Sequence, residues 1–218
     1  FVLVSYSDFS PELISKLKKD PSVILIIEAD NATGFHGQRL FVFEMMYHQC
    51  DVPVIFKRTY SEHDVETFQI KSAADLGGLF IDGLGDGIWI SNSNKIEAQK
   101  VCLTAFGILQ ATRSRISSVE YISCPSCGRT NFNIMQVSAK IRERTSHLKG
   151  LKIGIMGCIV NGIGEMADAD YGYVGSGKGK VSLYKAREII KKSIPEEEAV
   201  DELIRVIKYH GDWHERNQ

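Results

Sequence analysis

From Val2 to Gln110 the chain alternates short apolar runs with longer stretches of helical period, about four times over. Val2–Ser5 reads as a buried strand. Ser10 and Pro11 then open a helix, the serine as cap and the proline at the first helical position. Val23–Glu28 is a continuous apolar run, the pattern of a parallel strand covered on both faces. The spacing predicts a helix from about Gly37 to Gln49, a strand over Pro53–Lys57 and a helix from about Glu62 to Asp75. Short strands over Gly78–Asp82 and Gly87–Ser91 should flank a glycine-rich turn. A helix follows from Asn94 to about Gln110, with Ile96, Val101, Ala105, Ile108 and Leu109 as its apolar positions. Repeated β-α units imply an α/β fold with a parallel sheet. A closed eight-stranded barrel needs about twice as many units. This half is therefore an open sheet or part of a barrel whose beginning is missing. The opening Phe1-Val2-Leu3-Val4, apolar at once and without an initiator Met, favours the partial barrel.

After the polar stretch Thr112–Ser118 the pattern changes, which sets two expected domains, 1–115 and 116–218. Val119–Ser123 is a strand running into Cys124, and Asn133 to Leu148 reads as a helix. Leu151–Met156 is a second strand that runs almost directly into a cysteine, Cys158. A glycine-rich acidic loop should follow, then strands near Lys180–Tyr184 and Glu188–Ser193. In the last helix Glu196–Glu198 sit at the positive end and Val200, Leu203, Ile204 and Ile207 on the buried face; Gly211 is placed to stop it.

Charge narrows the function. With 26 basic and 27 acidic residues the net charge is −1, so no basic field exists to grip nucleic acid or anionic lipid. No apolar run reaches the roughly 20 residues of a membrane span. Five cysteines, an odd number, argue against an extracellular disulfide framework and for a reducing compartment: cytoplasmic, or a plastid if the source is a plant.

Cys124-Pro125-Ser126-Cys127 is a C-x2-C pair, used alike by zinc knuckles, thiol redox sites and iron–sulfur sites. Cys158 lies 31 residues after Cys127, also just beyond a strand end, so adjacent strands can bring three thiolates together. Structural zinc would want a fourth Cys or a His, and the nearest histidine, His147, reads as solvent-facing. Glu165, seven residues after Cys158, offers a weaker and more exchangeable carboxylate. That donor set suits Lewis-acid and redox chemistry on an oxygenated substrate. A zinc-binding structural module and a thiol redox module remain the alternatives. The latter is weakest, since Pro125 follows Cys124 and no helix starts at the pair.

The run Cys124-Pro125-Ser126-Cys127-Gly128-Arg129, then Gly157-Cys158-Ile159-Val160-Asn161-Gly162 and Gly164-Glu165, resembles the cluster domain of the 4-hydroxy-3-methylbut-2-enyl diphosphate synthases, iron–sulfur enzymes of non-mevalonate isoprenoid synthesis. Met166 to Gly175 resembles the long form of that family. The likeness is close from Val119 to Trp213 and looser through Asp82-Gly83-Leu84-Gly85-Asp86-Gly87. The resemblance implies that Cys124, Cys127 and Cys158 hold three irons of a [4Fe–4S] cluster. Glu165 would cap the fourth and give way to a substrate oxygen, and Asn161 would lie near bound substrate. It implies reductive ring opening and dehydration of 2-C-methyl-D-erythritol 2,4-cyclodiphosphate, with electrons from a ferredoxin or flavodoxin. In the family an N-terminal TIM barrel binds most of the diphosphate, and long forms add a barrel-like insert; residues 1–115 resemble the later part of that insert. A family strand ending in Arg-Val-Ser has Trp89-Ile90-Ser91 in its place here, and Ile163 stands where the family has Pro. The 218 residues should therefore not turn over substrate alone.

Other candidates have plainer explanations. Cys50 and Cys102 read as core thiols on apolar helix faces. Glu28, Asp30, His36 and Asp82, near strand ends, are expected in structural roles. Gly175–Gly179 reads as a hairpin turn, and Asp168 and Asp170 as part of a solvated loop.

Overall fold

The computed structural model describes residues 1–30, 34–124 and 127–216, apart from the side chain of Asn161. The chain divides into two compact units, Phe1–Ile116 and Ser117–Gln218. Both are α/β.

The first unit runs β1 (Val2–Val4), α1 (Pro11–Leu17), β2 (Leu25–Ala29), α2 (Gly34–Tyr47), β3 (Val54–Tyr60), α3 (Val65–Ile81), β4 (Gly87–Asn92) and α4 (Ala98–Ala111). Its four strands are parallel and lie in sequence order. Ser10 caps α1 as expected, its hydroxyl accepting from the Leu13 N–H at 3.1 Å ahead of Pro11. Asp64 does the same for α3, accepting from Thr67 N–H at 2.7 Å. Strand side chains alternate. Leu25, Ile27, Val54, Phe56 and Ile90 join Phe41, Met45, Phe68, Leu76, Leu79 and Ile108 of the helices in one core. On the other face the rows Leu3–Ile26–Ile55–Gly87 and Glu28–Lys57–Trp89 line up by register. There Lys57 pairs with Glu28 at 2.9 Å and lies over the Trp89 ring, while Leu3 and Trp89 are about half exposed.

The sequence expectation fails at Gly78–Asp82, which is the end of α3 and not a strand. Leu76, Leu79 and Phe80 are all buried, at helical spacing. The glycines that read as a breaker have a packing reason instead: a Cβ at Gly78 would stand 2.9 Å from the Phe35 ring. The true turn follows, with Gly83 and Gly85 at positive φ. Asp86 then locks it to β3 through two bonds with Val54: its N–H donates to the carbonyl at 2.7 Å, and its carboxylate accepts from the N–H at 2.8 Å.

The second unit runs β5 (Glu120–Ser123), α5 (Ile134–Thr145), β6 (Lys152–Met156), α6 (Ile159–Glu165), β7 (Tyr171–Gly177), β8 (Lys180–Lys185), β9 (Glu188–Pro195) and α7 (Glu196–Tyr209). The sheet order is β5-β6-β7-β8-β9; the first three strands are parallel and the last two antiparallel additions. Ile153, Ile155, Tyr171, Tyr173, Val181 and Leu183 face α5 and α7, against Val137, Ile141, Leu203 and Ile207. The intervening residues Met156, Val174 and Tyr184 form a smaller cluster with Met166 and Ala169 on the opposite face. The acidic glycine-rich segment expected as a loop contains α6 and most of β7. Gly162, Gly172 and Gly175 mark close approaches within these elements, each with a heavy atom inside 3 Å of where a Cβ would be. Gly175–Gly179 leads through the β7–β8 hairpin turn, with Gly179 at φ 66°.

Candidate metal centre

Strands β5 and β6 are parallel neighbours; β5 ends one residue before Cys124 and β6 two residues before Cys158. The Cys124 N–H donates to the Ile155 carbonyl at 3.3 Å, carrying the pairing one residue past β5. Its sulfur then accepts the Gly157 N–H at 3.3 Å. Cys124 Sγ therefore touches the residue that immediately precedes Cys158.

The turn bearing Cys127 is fastened to the same glycine. Thr130 binds Cys127 both ways: its N–H donates to the Cys127 carbonyl at 3.0 Å, and its hydroxyl accepts the Cys127 N–H at 3.1 Å. A Cβ on Gly157 would stand 2.7 Å from Thr130 Cγ2, 2.9 Å from its hydroxyl oxygen and 3.0 Å from Ile134 Cδ1. Asn131 donates its backbone N–H (2.9 Å) and side-chain amide (3.2 Å) to the Gly157 carbonyl. Gly157 is thus the common support of all three cysteines. Cys127 is exposed and Cys124 and Cys158 half-buried. The Arg129 backbone N–H, with its guanidinium charge second in effect, holds the Cys127 thiol below the usual cysteine range.

Cys158 is the N-cap residue of α6, and Glu165 is the last residue of that helix and exposed. Seven helical steps of about 100° bring Glu165 back to within roughly 20° of the Cys158 face, about 10 Å further along the axis. Cys158 has extended backbone ahead of the helix, so the two residues stand at opposite ends of α6. The Asn161 side chain, expected near substrate, lies outside the described residues, as do Pro125 and Ser126 between the paired cysteines.

Among the described residues no three Cys, His, Asp or Glu side chains are gathered tightly enough to hold a single metal ion. A four-iron cluster takes each protein ligand on a different iron, which spaces the donors more widely than one ion does. Three thiols and one carboxylate on the rim formed by the β5 and β6 ends and α6 fit such a group in donor chemistry.

Residues 120–209 match the family model described as the GcpE protein C-terminal domain. This stretch of the second unit is therefore similar to the GcpE C-terminal domain. Over 213 residues, 98% of its length, the chain is 52% identical to a 4-hydroxy-3-methylbut-2-en-1-yl diphosphate synthase (flavodoxin) of Parabacteroides distasonis, covering 35% of that protein. It is 50% identical to the enzyme of the same name from Bacteroides fragilis over 216 residues, 99% of the chain and 34% of the relative. For Chlorobaculum tepidum the figures are 45% over 201 residues, 92% of the chain and 27% of the relative. The chain thus spans about a third of the length of the curated relatives it matches. None of its helices is long and apolar enough to cross a membrane, among the described residues.

Within the second unit the supports of the cysteines were invisible to sequence reasoning. Asn131 and Gly175 carry no signal of their own, since each meets Gly157 from at least 18 positions away, and Thr130, which binds nearby Cys127, shows nothing in sequence of its packing on Gly157. His147, expected in solvent, is half-buried edge-on to Trp213, with ring centroids 4.9 Å apart. Asp170 is not simply solvated either; it accepts the Lys152 N–H at 2.8 Å and fixes the start of β6. Outside that unit, Cys102 is exposed on α4 and is no core thiol. Cys50 is buried, but in the turn after α2, where burial pushes its thiol up. Asp82 ends α3 and pairs with Arg39 at 2.8 Å, while Glu28 is occupied by Lys57.

Proposed function

We propose that this chain is the cluster-bearing part of a 4-hydroxy-3-methylbut-2-enyl diphosphate synthase. It would act in the reductive ring opening and dehydration of 2-C-methyl-D-erythritol 2,4-cyclodiphosphate, in the cytoplasm or a plastid. The observation that carries this is the bond from the Gly157 N–H to Cys124 Sγ, which brings the C-x2-C turn against the residue before Cys158. Cys124, Cys127, Cys158 and Glu165 would hold a [4Fe–4S] cluster. When bound, that group supplies electrons and a Lewis-acidic iron to an oxygenated substrate. The chain's own residues set the stage. Gly157, Thr130 and Asn131 fix the positions of the thiols, and the Arg129 amide and guanidinium favour the Cys127 thiolate. By the same resemblance Asn161 would lie near bound substrate.

The relatives' names point to flavodoxin as electron donor, with a ferredoxin as the other candidate. The rim is also apolar: Met135, Ile159, Val160 and Ile163 are exposed around the cysteines. Such a collar fits a surface that closes over the site during turnover. We assign that covering surface to a TIM barrel elsewhere in the protein. In the first unit, four parallel strands in sequence order carry apolar residues on a face that, among the described residues, no helix of the unit covers. All-parallel sheets are ordinarily covered on both faces. This supports its assignment as part of a barrel-like domain.

Iron and acid-labile sulfide analysis after anaerobic reconstitution tests the cluster. The expected result is both together, lost in a Cys158→Ala variant. Zinc without sulfide would overturn the proposal in favour of a structural zinc module. The 218-residue chain, supplied with reductant and the cyclodiphosphate, is expected to yield no product. Turnover by this chain alone would refute the need for a separate barrel.

A further inference from the structure

The segment after Glu165 is anchored in an unusual way. Gly154 of β6 and Gly172 of β7 are direct cross-strand partners, and both side-chain positions on that sheet face are empty. Met166 fills the space. A Cβ at Gly154 would stand 2.7 Å from Met166 Cβ and 3.2 Å from its sulfur. A Cβ at Gly172 would stand 2.5 Å from both its sulfur and its terminal methyl. Met166 is only 1% exposed, although the residues on its N-terminal side, Ile163, Gly164 and Glu165, are exposed. Its N–H donates to the Gly162 carbonyl at 3.0 Å, and its carbonyl accepts from Ala169 at 2.8 Å. One turn earlier Gly162 lies against Met156: a Cβ there would be 2.8 Å from Met156 Cβ. Helix α6 is therefore held to the sheet at Gly162 and at Met166, and Glu165 is the exposed residue directly before the second anchor.

We propose that Met166, seated over the Gly154–Gly172 pair, is the positioning residue for Glu165, an inference that rests on Glu165 being the fourth cluster ligand. A free helix end would fray, and a carboxylate on it would sample many directions. The socket removes that freedom at the adjacent residue. It also explains why two strand interiors carry glycine, which otherwise weakens a strand.

The two glycines respond differently to a methyl group. At Gly154 the new methyl meets Met166 Cβ, which cannot move without the backbone that carries Glu165. At Gly172 it meets, on Met166, the sulfur and methyl at the flexible end of the side chain, which can swing aside; its other close neighbour is Tyr184 Cβ at 3.2 Å, which does not bear on Glu165. Gly154→Ala should therefore displace Glu165, and Gly172→Ala should not. Met166→Ala empties the socket and should also free Glu165, whereas Met166→Leu should retain it.

The readout is the Mössbauer spectrum of the native-length, cluster-reconstituted protein, with Glu165→Ala as reference for a changed fourth site. Gly154→Ala and Met166→Ala are expected to lose the parent's unique-iron signature and match Glu165→Ala. Gly172→Ala and Met166→Leu are expected to keep it. If Gly154→Ala fails to fold, the Met166 pair decides. A parent-like spectrum in Met166→Ala, with Glu165→Ala altered, would overturn the positioning role and leave the ligand assignment standing. An unaltered spectrum in Glu165→Ala would instead overturn the ligand assignment, and the inference with it.

Discussion

Gly157→Ala tests whether one backbone position supports the whole cysteine rim. The substitution brings no backbone strain, because Gly157 is not among the glycines at positive φ. Its cost is steric: contacts of 2.7 and 2.9 Å to Thr130 and 3.0 Å to Ile134 are all well inside ordinary carbon separations. Ile134 starts α5 and is buried, so the side chain that yields is Thr130. Overpacking of this kind costs about 2 kcal/mol, which for a domain of roughly 100 residues lowers the melting temperature by about 8–16 °C. The functional loss should exceed the stability loss. When Thr130 moves, its hydroxyl releases the Cys127 N–H that it holds at 3.1 Å, and the turn is no longer held in place. The assay pairs calorimetry of the cluster-free protein with iron and sulfide content after reconstitution at a temperature where the variant is folded. Folded Gly157→Ala should take up little cluster. Adding Thr130→Ser, which removes the closest methyl and keeps the hydroxyl, should recover part of both losses. A variant that melts like the parent and reconstitutes fully would refute this account of Gly157.

Three further outcomes follow from the charged and thiol groups. Arg58 is 2% exposed and its guanidinium bonds Asp75 at 2.8 Å; Tyr60 also donates to that carboxylate. Asp75→Ala takes away the countercharge of a buried cation and should cost about 3 kcal/mol in urea unfolding of the first unit, a loss that Asp75→Glu should reduce. Asp212 is held below its usual range by hydrogen bonds from Lys185 and Tyr171. A carboxylate depressed in the folded state contributes stability that is complete above its unfolded value and lost as pH falls below about 4. Acid unfolding of the second unit should therefore begin less steeply in Asp212→Asn, and identical acid profiles would count against the clasp. Cys127 is depressed and Cys50 raised, so alkylation of cluster-free protein, followed by peptide mass mapping, should label Cys127 at lower pH than Cys50.

The legible parts of the fold are those where one residue type has one physical use. Ser10 and Pro11 announced a helix start because cap and first-turn chemistry are local. The run at Val23–Glu28 announced a parallel strand because both faces of β2 carry apolar residues, although the described helices of this unit pack on only one of them. Glycine defeated the same procedure. It ends helices, turns hairpins and admits close neighbours, and nothing local tells these uses apart. Gly77 and Gly78 read as a break although α3 continues through them to make room for Phe35. Gly162 and Gly164 read as loop although they lie in α6, and Gly172 and Gly175 concealed β7. At Gly78 and Gly175 the deciding atom belongs to a residue far away in the chain, Phe35 and Gly157.

The site shows the same division between local and distant information. That β5 and β6 lie side by side and run toward Cys124 and Cys158 was legible, since parallel neighbours finish at the same edge of a sheet. What holds them there was not: the carbonyl and N–H of Gly157 are backbone groups common to every residue, and only the register of β5 on β6 aims them at Asn131 and the Cys124 sulfur. The family's proline, replaced here by Ile163, falls in the interior of α6, where a proline lacks the N–H that a helix uses and crowds the preceding turn. Ile163 thus permits the regular seven-residue helix. The resembled family, from which the role of Glu165 is inferred, carries the proline, so a bent α6 still serves the carboxylate. Ile163→Pro is therefore expected to lower the melting temperature of the second unit while keeping the unique-iron signature, and loss of that signature in folded protein would count against the inferred arrangement.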